Sequence, residues 1–186
     1  MKQVFFITGN KLKFEIAQQA LAGANIELVQ KELATPEIQS VRVEEVAGFS
    51  AKWASDQLKQ PVLVSDAGYY IEALNGFPGP FIKYINEWLS AEDILRLMDG
   101  KTNRTVEVKD CLAYCEPGQE PVFFCGSAKG TIANKKGSPG LTAINEIFIP
   151  EGYDKTESDI PWEEMKNFWS KSMKTYQLVG EYFKKR

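Results

Sequence analysis

Val4-Phe5-Phe6-Ile7-Thr8-Gly9-Asn10 is the stretch whose reading decides the fold. Four consecutive apolar residues suit a strand covered on both faces, the situation of a parallel sheet with helices on either side. The run stops at Thr8-Gly9-Asn10, and a helix is expected next. Leu12, Ile16, Ala17, Ala20 and Leu21 recur at helical spacing, and Gly23 is placed to end them. A strand over 26–29 follows. After the polar segment 35–42, Val43, Val46, Ala47, Ser50, Trp53 and Ala54 form a second helical stripe, weakened by Gly48.

Further along, Pro61-Val62-Leu63-Val64 reads as a third short buried strand that ends at Ser65-Asp66-Ala67-Gly68. A turn-rich segment over 75–80 leads to a helix over 81–89, and Ser90 is set to cap another helix. From Thr105 to Ala133 the period becomes two: Val106, Val108, Leu112 and Tyr114 alternate with polar neighbours. Glu116-Pro117-Gly118-Gln119 then turns the chain back as a hairpin. A last strand is expected over 145–149. Met165, Trp169, Met173, Tyr176, Val179 and Phe183 make one C-terminal helical stripe. A βαβαβ-like first half and a hairpin-containing second half predict one α/β domain over 1–186, with a mixed sheet flanked by helices.

The chain has 186 residues, 22 Lys and Arg, 25 Asp and Glu, a formal charge of −3, and no histidine. The last fact excludes histidine-centred triads, proton relays and metal sites, so chemistry must run on carboxylates, lysines, hydroxyls and backbone. The acidic balance argues against coating nucleic acid. No apolar stretch approaches the about 20 residues that span a bilayer, and no leader precedes the first strand, so a cytoplasmic location without membrane contact is expected. Cys111, Cys115 and Cys125 cannot complete a four-ligand zinc site without histidine and are expected to be buried and reduced.

Ligands of open α/β sheets gather at the carboxyl ends of strands, which singles out Thr8-Gly9-Asn10 and Ser65-Asp66-Ala67-Gly68. Gly9 would let the chain turn and present backbone amides at the next helix, where an anion is favoured, with Lys11 and Lys13 in that first turn. The same residues also fit a plain helix cap with solvated lysines. Asp66 after an apolar strand and Glu37 in Pro36-Glu37-Ile38-Gln39 are two carboxylates of the kind that hold Mg²⁺ together with waters and substrate phosphates.

Taken together, Phe6-Ile7-Thr8-Gly9-Asn10-Lys11-Leu12-Lys13, Pro36-Glu37-Ile38-Gln39, the run from Ser65-Asp66-Ala67-Gly68 to Asn75-Gly76-Phe77-Pro78-Gly79-Pro80, and Phe148-Ile149-Pro150-Glu151-Gly152-Tyr153-Asp154-Lys155-Thr156 resemble the inosine triphosphate pyrophosphatase family over nearly the whole chain. The resemblance implies that family's elongated, twisted mixed sheet and a homodimeric, Mg²⁺-dependent enzyme. Such an enzyme splits a nucleoside triphosphate such as ITP or XTP between the α and β phosphates, giving monophosphate and pyrophosphate. It implies that Thr8, Asn10 and Lys13 hold the triphosphate, that Glu37 and Asp66 bind metal, and that Asp66 helps to activate water. It also places Lys83, Lys166 and Ser170 at the nucleotide. From Pro161 to the C-terminus six Lys and Arg face three Glu, a local excess of positive charge suited to an anionic substrate.

The chain departs from the family pattern at four places. Ser65 stands where a second acid is usual, and Ser50 where a lysine is usual, with Lys52 close by. Thr142-Ala143-Ile144-Asn145 replaces an aromatic-Gly-aromatic-Asp run, and Ser170-Lys171-Ser172 replaces a Ser-His-Arg run. These last two are base-reading positions in the family, so altered or relaxed base preference is expected. The alternatives are a nucleotide-binding relative with little turnover, or a structural or partner-binding module that keeps the motifs for its fold.

Overall fold

The computed structural model describes residues 2–185. The side chain of Leu12, placed above on the first helical stripe, lies outside the described residues. In chain order the elements are β1 (Lys2–Ile7), α1 (Lys11–Ala20), β2 (Ile26–Lys31), α2 (Val43–Leu58), β3 (Val62–Ile71), β4 (Pro78–Gly79), α3 (Ile82–Trp88), α4 (Ala91–Leu97), β5 (Thr105–Cys115), β6 (Val122–Ile132), β7 (Phe148–Pro150), α5 (Trp162–Met173) and α6 (Thr175–Lys184). The sheet runs β2-β1-β3-β5-β6-β7, with β4 paired to β3. It is mixed as expected: β1 is parallel to β2 and β3, whereas β4 and β7 pair antiparallel. The chain clusters into two compact units. The first holds residues up to Asp66, Asp110–Gly126 and those from Lys174; the second holds Ala67–Lys109 and Ser127–Met173.

In the first unit, the apolar run of β1 divides its side chains between two cores. Val4 and Phe6 pack with Leu63, Leu112, Tyr114, Ala17 and Leu21 at α1, and Val179 and Phe183 of α6. Phe5 and Ile7 point the other way, to Val62, Val64 and Ala113 and to Ala47, Ala51 and Ala54 of α2. Both faces of the central strands are therefore buried, which is why the run is continuous rather than alternating. Gly48 has a packing role beyond its low helix propensity, because a Cβ there would sit 2.7 Å from the Phe123 ring.

In the second unit, Ile85 of α3 and Ile94 and Met98 at α4 cover Ile71, Val106, Val108, Ala128 and Ile132, and Phe148 and Met173 complete the cluster. Ser90 caps α4 as expected: its hydroxyl accepts from the Asp93 amide, and the Asp93 carboxylate accepts from the Ser90 amide.

Several expectations are corrected. β3 does not stop at Val64 but runs to Ile71, because its later half pairs with β4 through Tyr69 and Tyr70. Asp66 thus lies inside a strand. α1 ends at Ala20 with Leu21 as its cap, before Gly23 is reached. The last strand is shorter and later than expected, Phe148–Pro150, and Asn145 lies in the turn before it. The C-terminal stripe is two helices, broken where Lys174 takes a left-handed φ of 56°. The cysteines are not all reduced. β5 and β6 bring the Cα atoms of Cys111 and Cys125 to 4.1 Å and the two are joined by a disulfide, while Cys115 is free and buried.

Candidate active site

The segment after β1 is built by short polar contacts. The Thr8 hydroxyl accepts from the Asn10 amide at 3.1 Å, the Thr8 carbonyl accepts from the Gln30 side chain at 3.1 Å, and the Thr8 amide donates to the Lys31 carbonyl. Asn10 is the N-cap of α1, its Oδ1 accepting from the Lys13 amide at 3.1 Å. The capping role weighed against anion binding is thus real for Asn10. It also orders the turn, and Lys11 and Lys13 stand in a first helical turn that holds no acidic residue. Gly9 is not in the left-handed region. What limits a side chain there is the Glu32 carboxylate, 3.3 Å from a built Cβ.

Lys13 connects this turn to β3. Its ammonium lies 3.5 Å from the Ser65 hydroxyl. In the β1–β3 register Phe6 faces Leu63, so two residues on, past the end of β1, Thr8 and Ser65 lie level. Asp66 follows, with its Oδ2 shielded from solvent. Glu37 lies exposed in the segment between β2 and α2. Among the described residues no cluster of three or more His, Cys, Asp or Glu is set to hold a metal. Ser50, at the usual lysine position, is buried in α2, and Lys52 is ion-paired with Glu120.

Asp110 of β5, which none of the motifs contains, lies within range of the Lys13 charge. Thr175 Oγ1 donates to its Oδ2 at 2.8 Å. Burial pushes this carboxyl above its ordinary value, while the Thr175 hydrogen bond and the Lys13 charge pull it down. A signal was present: Asp110 occupies the same alternate register as Val106, Val108, Leu112 and Tyr114, a carboxylate on an apolar face.

The remaining expected residues belong to the second unit. Lys83 is exposed on α3 with its ammonium 5.5 Å from the Tyr84 ring centre. Lys166 and exposed Ser170 lie on α5, Lys166 paired with Glu163 at 2.7 Å. Asn145, at the position of the family's acid, accepts from Thr142 Oγ1 at 2.7 Å and donates to Glu157 Oε2 at 2.8 Å. Trp169 donates to Glu157 Oε1 at 3.1 Å, and its half-buried ring stacks on Phe148 against the core of the second unit.

Residues 4–181 match the Ham1 family. The chain belongs to the Ham1 family. It is 41% identical over 183 residues to a dITP/XTP pyrophosphatase of Methanopyrus kandleri, covering 98% of this chain and 96% of that protein. It is 33% identical over 186 residues to an inosine triphosphate pyrophosphatase of Batrachochytrium dendrobatidis, covering 100% and 96%. The fold is that of a Ham1 protein from Coxiella burnetii, with a TM-score of 0.85 at 20% identity over the full length of both chains. Family membership bears out the resemblance drawn from the motifs. Among the described residues no helix is long and apolar enough to cross a membrane.

Proposed function

We propose that this Ham1 protein is a Mg²⁺-dependent nucleoside triphosphate pyrophosphatase that releases pyrophosphate from a triphosphate of the ITP or XTP class, as a cytoplasmic homodimer. The observation that carries the reading is the Lys13 ammonium 3.5 Å from Ser65, which sets the cation of a capped helix start beside the strand that bears Asp66. Full-length similarity to two pyrophosphatases supports it.

The donor set suits magnesium. Asp66, with one carboxylate oxygen out of solvent, and exposed Glu37 are hard oxygen ligands, and Mg²⁺ commonly takes one or two carboxylates and leaves the rest of its shell to water and phosphate. Glu37 and Asp66 would hold it, and when bound it would neutralise phosphate charge and acidify a coordinated water. The protein's own part is positioning. Thr8, Asn10 and the first turn of α1 receive the phosphates, Lys13 balances their charge, and Asp66 orients the attacking water for in-line displacement. Lys83, Lys166 and Ser170 engage the nucleotide.

Base preference differs from the usual pattern because the groups at those positions are already used. The Asn145 amide is engaged by Thr142 and Glu157, and the Trp169 N–H by Glu157. The test is pyrophosphate release from purine and pyrimidine triphosphates with and without Mg²⁺, together with Asp66→Asn. Turnover of at least one triphosphate, lost in the variant, is expected. A panel that stays silent while calorimetry shows triphosphate binding would replace this reading with that of a binding protein.

A further inference from the structure

Glu157 is a half-buried carboxylate whose hydrogen-bond donors sit beside the Phe148 ring. Burial pushes it above its ordinary value, with donors from three separate segments pulling it back. Asn145 Nδ2 donates to Oε2 at 2.8 Å from the turn before β7, Trp169 Nε1 donates to Oε1 at 3.1 Å from α5, and the Tyr69 hydroxyl of β3 bonds to the same carboxylate. The rings that carry two of these donors clasp Phe148 between them. Tyr69 meets it edge-on at 5.4 Å and Trp169 lies parallel at 5.9 Å.

An apolar residue at this position would avoid the cost of drawing a charge partly out of water, which neutral donors offset only in part. What the network supplies is a preferred arrangement, because three donors converge on one carboxylate and a donor that shifts away loses its bond there. The part it fixes is α5. With the indole N–H of Trp169 bonded to Glu157 and its ring stacked on Phe148, rotation of the helix about its axis would break both contacts. Ser170 is the next residue, and Lys166 lies three residues back on the face that Trp169 shares.

We propose that Glu157 is a positioning residue, which holds α5 through Trp169 and the 142–147 turn through Asn145, and so sets Lys166 and Ser170 for the nucleotide. The inference rests on the pyrophosphatase reading and on the role given there to α5.

The test exchanges amide and carboxylate. Glu157→Gln alone sets an amide NH₂ against that of Asn145, and Asn145→Asp alone sets two carboxylates against each other. The double variant, Glu157→Gln with Asn145→Asp, restores every donor to an acceptor. Its new side-chain amide accepts from Trp169 and Tyr69 through the oxygen and donates through the nitrogen to the new carboxylate across from it. The expected result is a roughly tenfold rise in KM for the triphosphate in each single variant with kcat within about twofold, and recovery in the double variant. Circular dichroism and melting curves are run on all three, with kinetics well below their transitions. A folded Glu157→Gln variant with unchanged KM overturns the inference and leaves the enzyme reading intact, as does a raised KM that the double variant fails to recover. A wild-type protein that neither hydrolyses nor binds a triphosphate overturns both.

Discussion

The Lys13 ammonium stands 3.5 Å from the hydroxyl of Ser65, one residue before Asp66. Because Ser65 is neutral, that contact orients the lysine without cancelling its charge. In the proposed site that charge would meet a phosphate, and it also acts on the carboxyl of Asp110 in β5, pulling it down against the effect of burial.

Lys13→Met should therefore weaken substrate binding without weakening the fold. A hydrogen bond to a charged group is worth about 1.5 to 3 kcal/mol, so KM for the triphosphate should rise roughly 10- to 100-fold. The side chain is only half-buried, and stability should change by no more than about 0.5 kcal/mol. Steady-state pyrophosphate release and a urea titration measure the two effects; an unchanged KM would remove Lys13 from the site.

Much of this arrangement was legible in the residues. The β1 run declared a strand buried on both faces, and the division of Val4 and Phe6 from Phe5 and Ile7 is what that pattern encodes. Asn10 and Ser90 were readable as caps because short polar side chains before an apolar period have few other uses. The length of β3 was not legible, since its second half is held by pairing with β4 and carries no apolar run of its own. The break at Lys174 carries no proline or glycine to announce it. The Asn145–Glu157–Trp169 network joins residues up to 24 positions apart, and no local period reports such a contact.

Gly68 should tolerate no side chain. A Cβ there would lie 2.7 Å from the carbonyl carbon and oxygen of Gly79, and backbone held in a strand pair cannot yield as a flexible side chain can. Gly68→Ala should cost about 3 kcal/mol, at the upper end of overpacking effects. Gly23→Ala is the control: nothing lies within 4 Å of its Cβ, and the variant should be neutral or slightly more stable. Chemical denaturation compares the pair, and equal midpoints would refute the close approach.

Lys174→Gly should stabilise the chain. The left-handed φ of 56° between α5 and α6 strains a residue with a Cβ by about 1 kcal/mol, and glycine adopts it freely. Part of that gain is offset by the greater freedom of glycine in the unfolded chain, leaving a net rise of about 0.5 kcal/mol. Lys174→Ala, which keeps the Cβ, should give no such rise. A thermal scan of both variants checks the prediction, and a destabilised glycine variant would contradict it.

Asp110 should make stability fall as pH rises. Burial raises its folded-state value above the ordinary carboxylate value of about 4, so within the window between the two the folded chain binds more protons than the unfolded one. Below that window the group is neutral in both states and contributes no pH dependence. Through it, stability is progressively lost, and above it the loss is complete. Asp110→Asn keeps an acceptor for Thr175 Oγ1 while removing the titration. Relative to wild type, its melting temperature should therefore gain more at pH 7 than at pH 4. Glu157, also raised by burial, adds a slope of the same sign that remains in the variant, so the difference between the two profiles reports Asp110. Parallel profiles from pH 4 to pH 8 would show that Asp110 is not held at a raised value.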